Sequence, residues 1–269
     1  MYQTDPPRSA KDVLPTMYDL PSENPEEPGL PDQFHLLQPR LLDETFCPPH
    51  YPPNQVLTAS DLNLYYDVRH SLWYKRPDWF AVLGVPRLYE QRDLRLSYVV
   101  WQEGVNPFIV VELLSPGTER EDLGQTVRDA DQPPTKWEVY EQILRVPYYV
   151  VFDRYTYNFR AFKLDGSRYA AVELEEERFW IPHLELGLGI WEGEYQGSQQ
   201  PWLRWYDSTR NWVLTPTQRE AQRAEQEQQS AQQERLRAEQ EYLRAEQERQ
   251  KTERLIAQLR ALGVEPDLD

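Results

Sequence analysis

The segment Phe108-Ile-Val-Val-Glu112-Leu-Leu-Ser-Pro116-Gly117 reads as a strand with a carboxylate inside it. From Phe108 to Leu114 the chain is apolar except for Glu112, is rich in Ile and Val, and stops at Ser-Pro-Gly. Such a run, closed by turn residues, is expected to be buried on both faces of a sheet. A carboxylate there is costly to bury unless it is paired or holds a metal ion. Upstream, Asp78 stands just before a second apolar run, Trp79 to Leu83, which Gly84 ends. Acids on neighbouring strands can share one divalent cation, and a lysine nearby can stabilise charge that develops on a phosphate. Each acid also has a plainer reading. Asp78 can cap a turn or helix, and Glu112 can leave the sheet edge to pair with an arginine.

Working outward, Ser60 is expected to cap a helix over Asp61–Val68, with Leu62, Tyr65 and Tyr66 on one side. Strands follow near Trp79–Leu83, Ser97–Gln102 and Pro107–Leu114. Thr118, with Glu121 three residues on, forms a capping-box pattern. Thr135 is expected to cap a helix that runs to Leu144, on which Lys136 and Tyr140, four apart, share a face. Pro147–Asp153 is β-rich, and Tyr157–Leu164 and Arg168–Leu174 are expected to form a hairpin across Asp165-Gly166. Glu185–Trp191 and Trp202–Leu214 are aromatic-rich and extended. This order predicts an α+β body, a mixed β-sheet flanked by helices, rather than a strictly alternating doubly wound fold.

The order Pro77-Asp78, then Glu112, then a basic residue resembles the PD-(D/E)XK nuclease superfamily, although the usual lysine position, two after the acid, is here Leu114. Glu112-Leu-Leu-Ser-Pro-Gly-Thr118, Asp122-Leu-Gly124, Lys136 four before Tyr140, Val146-Pro-Tyr-Tyr149 and Val150-Val-Phe-Asp153 together resemble the Uma-two family of restriction endonucleases. Members of that family carry the lysine on the following helix, four residues before a tyrosine, and Lys136 and Tyr140 match that spacing. The resemblance covers roughly Thr58 to Trp191. It implies a restriction-endonuclease-like core and a DNA endonuclease that depends on Mg²⁺ or Mn²⁺. It implies that Asp78, Glu112 and the main-chain carbonyl of Leu113 hold the metal, that Lys136 is catalytic, and that Tyr140 and Asp122 support them. The departure at Leu114 keeps a second reading open: a nuclease-fold protein without turnover, acting as an interaction or oligomerisation module through its C-terminal helix.

The net charge of the 269-residue chain is −16, whereas a surface built to bind nucleic acid is normally basic. That objection weakens if much of the acid, in Ser22–Pro28, Glu173–Glu177 and the C-terminal segment, lies outside the candidate site. Arg87, Arg92 and Arg95 are candidate phosphate contacts, or partners of Glu90 and Asp93. A single cysteine, Cys47, excludes an intramolecular disulfide and a cysteine-based zinc site. The histidines His35, His50, His70 and His183 show no ligand spacing, and His70 lies near Asp78 in sequence. No apolar run suggests a signal peptide or a membrane span, so a soluble cytoplasmic protein is expected.

Three segments are expected. Residues 1–53 form a Pro-rich extended arm whose Tyr18, Phe34, Leu36 and Leu37 pack on the body. Residues 54–214 form the nuclease-like domain. Residues 215–269 form a long Glu/Gln/Arg/Ala helix. In it Ala224, Ala231, Ala238 and Ala245 recur at heptad spacing, but Gln228 and Arg235 interrupt the seam. A single solvated helix and a coiled coil that joins copies of the chain both fit this pattern.

Overall fold

The computed structural model describes residues 32–114, 122–126 and 132–261. The chain runs through α1 (Phe34–Thr45), β1 (Val56–Ala59), β2 (Leu64–Tyr65), β3 (Tyr74–Lys75), β4 (Trp79–Leu83), β5 (Tyr98–Val99), α2 (Val100–Glu103) and β6 (Ile109–Leu114). Helix α3 opens at Lys136–Glu138 and continues as a π-helical turn, Val139–Ile143. Strands β7 (Tyr148–Asp153), β8 (Asn158–Asp165), β9 (Arg168–Ala171), β10 (Arg178–Ile181), β11 (Leu186–Tyr195) and β12 (Ser198–Tyr206) complete the body, and α4 (Pro216–Ala261) follows.

The principal sheet has the order β1-β4-β6-β7-β8-β9. Its β6–β7 pair is parallel and its other pairs are antiparallel. A parallel pair needs a crossover, and the chain between β6 and β7 supplies it, with α3 at its end. This is the mixed α+β architecture expected of a restriction-endonuclease-like core. The β8–β9 hairpin turns where Asp165-Gly166 predicted, with Asp165 opposite Arg168 and Gly166 at φ +59°.

Strand β6 lies inside the sheet and all six of its residues are buried. Alternation along it builds two cores. Ile109, Val111 and Leu113 face Phe34, Leu41 and Leu42 of α1 and Trp202 and Trp205 of β12. Val110 and Leu114 face the other way, with Phe80 and Val82 of β4, Val139 and Tyr140 of α3, and Leu64 and Tyr98 of the small β3-β2-β5 sheet. The same alternation sets Asp78 and Glu112 on this second face.

Three local expectations are corrected. Residues 34–45 are helical rather than extended, and Phe34, Leu41, Leu42 and Phe46 lie in the core. The Gln38 amide joins this helix to β12, donating to the Leu203 carbonyl and accepting from its N–H, each at 2.8 Å. Tertiary burial thus overrides the local cost of Pro39 within the helix. The rest of the arm, residues 1–31, lies outside the described residues. Asp61–Val68 is not a helix: Leu64 pairs with Lys75 and Tyr98, and buried Leu64 and Tyr66 flank half-buried Tyr65, which is a period of two. Of Ser97–Gln102 only Tyr98–Val99 is strand. The expected turn at Ser115–Thr118 and the Thr118–Glu121 capping box lie outside the described residues.

The chain divides into two compact units, Met1–Val213 and Leu214–Asp269. In the second unit, the Thr215 hydroxyl accepts from Gln218 N at 3.3 Å and the Gln218 side chain accepts from Thr215 N at 3.1 Å. This capping box, with Pro216 at the first helical position, starts α4. The helix has 46 residues and none is buried. Among the described residues no helix is long and apolar enough to cross a membrane.

Candidate active site

The site is built where β6 outruns its neighbour. Strand β4 begins at Trp79, opposite Val111, so Glu112 to Leu114 continue past the β4–β6 pairing. Asp78, one residue before β4, fills the gap with its side chain. Its Oδ2 accepts from Leu113 N at 2.6 Å, and its own N–H approaches Glu112 Oε2 at 3.4 Å. Glu112 is fully buried, and each of its oxygens has a partner from α3. Lys136 Nζ lies 2.9 Å from Oε2, and the Tyr140 hydroxyl donates to Oε1 at 2.8 Å. Lys136 Nζ is also 3.2 Å from Asp122 Oδ1. The Lys136 side chain keeps 21% exposure against 0% for Glu112.

Local sequence explains how α3 presents these groups. Thr135 N donates to Glu138 Oε2 at 2.8 Å and Glu138 N to the Thr135 hydroxyl at 3.2 Å, the capping box that starts the helix just before Lys136. The π-helical turn then begins at Val139, with Leu144 N donating to Val139 O at 2.8 Å. Such turns recur at functional sites. Tyr140 packs on Tyr149, with centroids 5.4 Å apart, and the Tyr149 hydroxyl donates to the Asp122 carbonyl at 2.9 Å. Gly124 completes this corner at φ +67°, where a Cβ would stand 2.8 Å from Trp137 Cγ.

The electrostatics follow from burying three acids around one ammonium. Burial pushes the Glu112 pKa up to about 7; Lys136 pulls it down and the Asp78 charge pushes it up. Burial likewise raises Asp78, against Lys136, His35 and the Leu113 N–H. Burial would lower the pKa of Lys136, but Glu112, Asp122 and Asp78 hold it well above its ordinary value, so it stays charged. Burial and the Glu112 charge raise Tyr140, so its hydroxyl remains a donor. The carboxylates outnumber the ammonium, and carboxylate oxygens are the hard donors that Mg²⁺ and Mn²⁺ accept. Asp78 and Glu112 therefore fit such an ion. Lys136 stands between Glu112 and Asp122, which keeps Asp122 from being a third donor. Among the described residues no group of three or more His, Cys, Asp or Glu side chains converges on one point. The donor set suits an ion that keeps most of its waters.

The fold thus gathers Asp78, Glu112, Lys136, Tyr140 and Asp122 from four separate segments. The Leu113 carbonyl, expected as a metal donor, accepts from His35 Nε2 at 3.2 Å. The expected phosphate contacts fare differently from one another. Arg92 pairs with Asp93 at 2.9 Å on the surface. Arg95 is bound to Glu103 and to the Pro86 carbonyl, and its side chain is 5% exposed. Arg87 is exposed. His70 pairs with Asp67 and stacks on Trp73, outside the site. His35 was not singled out by sequence. It lies 78 residues from Leu113, and no local spacing marks it. Burial would lower its pKa, but the hydrogen bond to Asp32 and the charges of Asp78 and Asp32 raise it.

Residues 14–195 match the family model Uma2, described as "Putative restriction endonuclease". The chain belongs to the Uma2 family. The match takes in all five converging residues and also α1 with His35, upstream of where the sequence motifs begin, and it ends before α4. No curated protein matches the chain. Within the Uma2 match, Lys136 reaches Glu112 from the crossover helix, while Leu114, where a nuclease of the PD-(D/E)XK pattern would carry its lysine, is buried in the second core.

Proposed function

We propose that this Uma2 protein is a divalent-metal-dependent endonuclease that hydrolyses DNA phosphodiester bonds. The observation that carries this reading is the 2.9 Å contact of Lys136 Nζ with Glu112 Oε2, by which α3 gives the acid the cation that position 114 lacks. Asp78 and Glu112 would hold Mg²⁺ or Mn²⁺. Such an ion, when bound, polarises a phosphoryl oxygen and acidifies a coordinated water. Lys136 would stabilise the charge that develops on the phosphate. Asp122 holds the ammonium from the other side, and Tyr140 fixes the Glu112 carboxylate. Because the chain carries −16, its affinity for DNA should be weak and salt-sensitive.

Calorimetry with Mn²⁺, beside plasmid cleavage at low ionic strength, tests the proposal. Asp78→Asn and Glu112→Gln should lose both metal binding and cleavage. Lys136→Ala should keep metal binding and cleave about 10²–10³-fold more slowly. No Mn²⁺ binding by the wild type, or wild-type cleavage by Glu112→Gln, would sink it. A second reading, a nuclease fold without turnover that acts through α4, draws support from Leu114 and from Glu112 being already satisfied by Lys136 and Tyr140. It requires a folded wild type that cleaves neither plasmid nor single-stranded DNA.

A further inference from the structure

We infer that His35 is a positioning residue of the two-carboxylate site: it holds the Leu113 carbonyl so that the Leu113 N–H stays aimed at Asp78. The inference deepens the proposed function and rests on its assignment of Asp78 and Glu112. Beyond the Trp79–Val111 pair, β6 has no β4 residue to bond with. Buried backbone polar groups must nevertheless be paired. Two side chains take the place of the missing strand. Asp78 Oδ2 accepts from Leu113 N at 2.6 Å, and His35 Nε2 lies 3.2 Å from Leu113 O. The Leu113 N–H belongs to the peptide that follows Glu112 and the Leu113 carbonyl to the next one, so the two contacts together fix φ and ψ of Leu113, and losing the carbonyl contact would free the N–H to turn away from Asp78.

The His35 ring is itself held. Its Nδ1 lies 2.9 Å from Asp32 Oδ1, and its main-chain N donates to the same oxygen at 3.1 Å. Arg154 Nη1 fixes the other oxygen of Asp32 at 2.5 Å. A carbonyl only accepts, so it is Nε2 that donates to Leu113 O. The ring is buried, at 4% exposure. Residues that orient metal-binding groups in this way are the outer shell on which metal affinity depends.

The test uses the full chain with ¹⁵N-labelled leucine. His35→Gln places an amide donor where Nε2 stands, His35→Asn places one where Nδ1 stands, and His35→Leu has neither. In metal-free protein, the Leu113 amide should stay shifted downfield and protected from exchange in the wild type and His35→Gln. In His35→Asn and His35→Leu it should move upfield and exchange faster. Mn²⁺ affinity should fall about 10–100-fold in His35→Asn and His35→Leu, and by less than about threefold in His35→Gln. Should His35→Leu fail to fold, the Gln and Asn variants carry the comparison alone. A Leu113 amide unchanged in a folded His35→Leu or His35→Asn, or Gln and Asn variants that behave alike, would overturn the inference. If the wild type binds no Mn²⁺, the metal assignment fails while the amide comparison still decides the role of His35.

Discussion

Glu112→Gln should alter the pH dependence of stability more than stability itself. Gln keeps the shape of the side chain. Its carbonyl can face Lys136 and the Asp78 N–H, its amide can face Tyr140, whose hydroxyl can turn to accept, and Lys136 keeps Asp122. What is lost is the titration. In the folded protein Glu112 binds its proton up to about pH 7, from an ordinary value of 4.5. Between those limits the folded state holds more protons than the unfolded state, so stability falls as pH rises and levels off above the upper limit. At about 1.36 kcal/mol per pKa unit the full effect is about 3 kcal/mol, of which we expect about 2–3 kcal/mol because Asp78 shares it. For a body of this size that is about 5–10 °C in Tm. All 9 tryptophans precede α4, so their fluorescence reports the body alone. Melting in EDTA at pH 5 and pH 8 should show the wild type losing this much more than Glu112→Gln. Mn²⁺ at pH 8 should restore the wild type and not the variant. Parallel pH profiles for the two proteins would refute the reasoning.

Tyr140→Phe removes the buried donor to Glu112 Oε1 and should cost about 1–3 kcal/mol, read as a lower midpoint in urea at unchanged slope. Gly124→Ala meets both a positive φ and the Trp137 ring. It should cost about 1–3 kcal/mol and, by loosening the segment that carries Asp122, lower the pKa of Lys136, measurable by NMR titration. Truncation after Leu214 should leave a body that melts cooperatively, since the compact units divide there; loss of the transition would count against two units. The isolated α4 segment should be helical at a level independent of concentration, because no residue of the helix is buried and its seam is mostly alanine; steep dependence in the micromolar range would establish a coiled coil instead.

The elements legible in the sequence are those whose signal is local. A short apolar run rich in Ile and Val, closed by Ser-Pro-Gly, reads as a buried strand, and it marked β6. Thr135 marked the start of α3, Asp165-Gly166 the hairpin, and Pro216 with the change to Gln, Glu, Arg and Ala the separate helix. The acid in β6 stood out for the same reason, since a carboxylate inside an apolar run demands an explanation; Lys136 was pointed to only by the family resemblance. Tertiary structure decided the rest. Helix α1 exists because its apolar residues find β6 and β12, far away in sequence, and burial there outweighs prolines that read as extended chain. Leu64 became strand because Lys75 and Tyr98 were present to pair with it. Arg95 is bound to Glu103 because the fold brings that acid within reach. His35 entered the site because β6 is longer than β4. That Leu113 has no β4 partner is a property of two strands laid side by side, which neither strand's sequence contains.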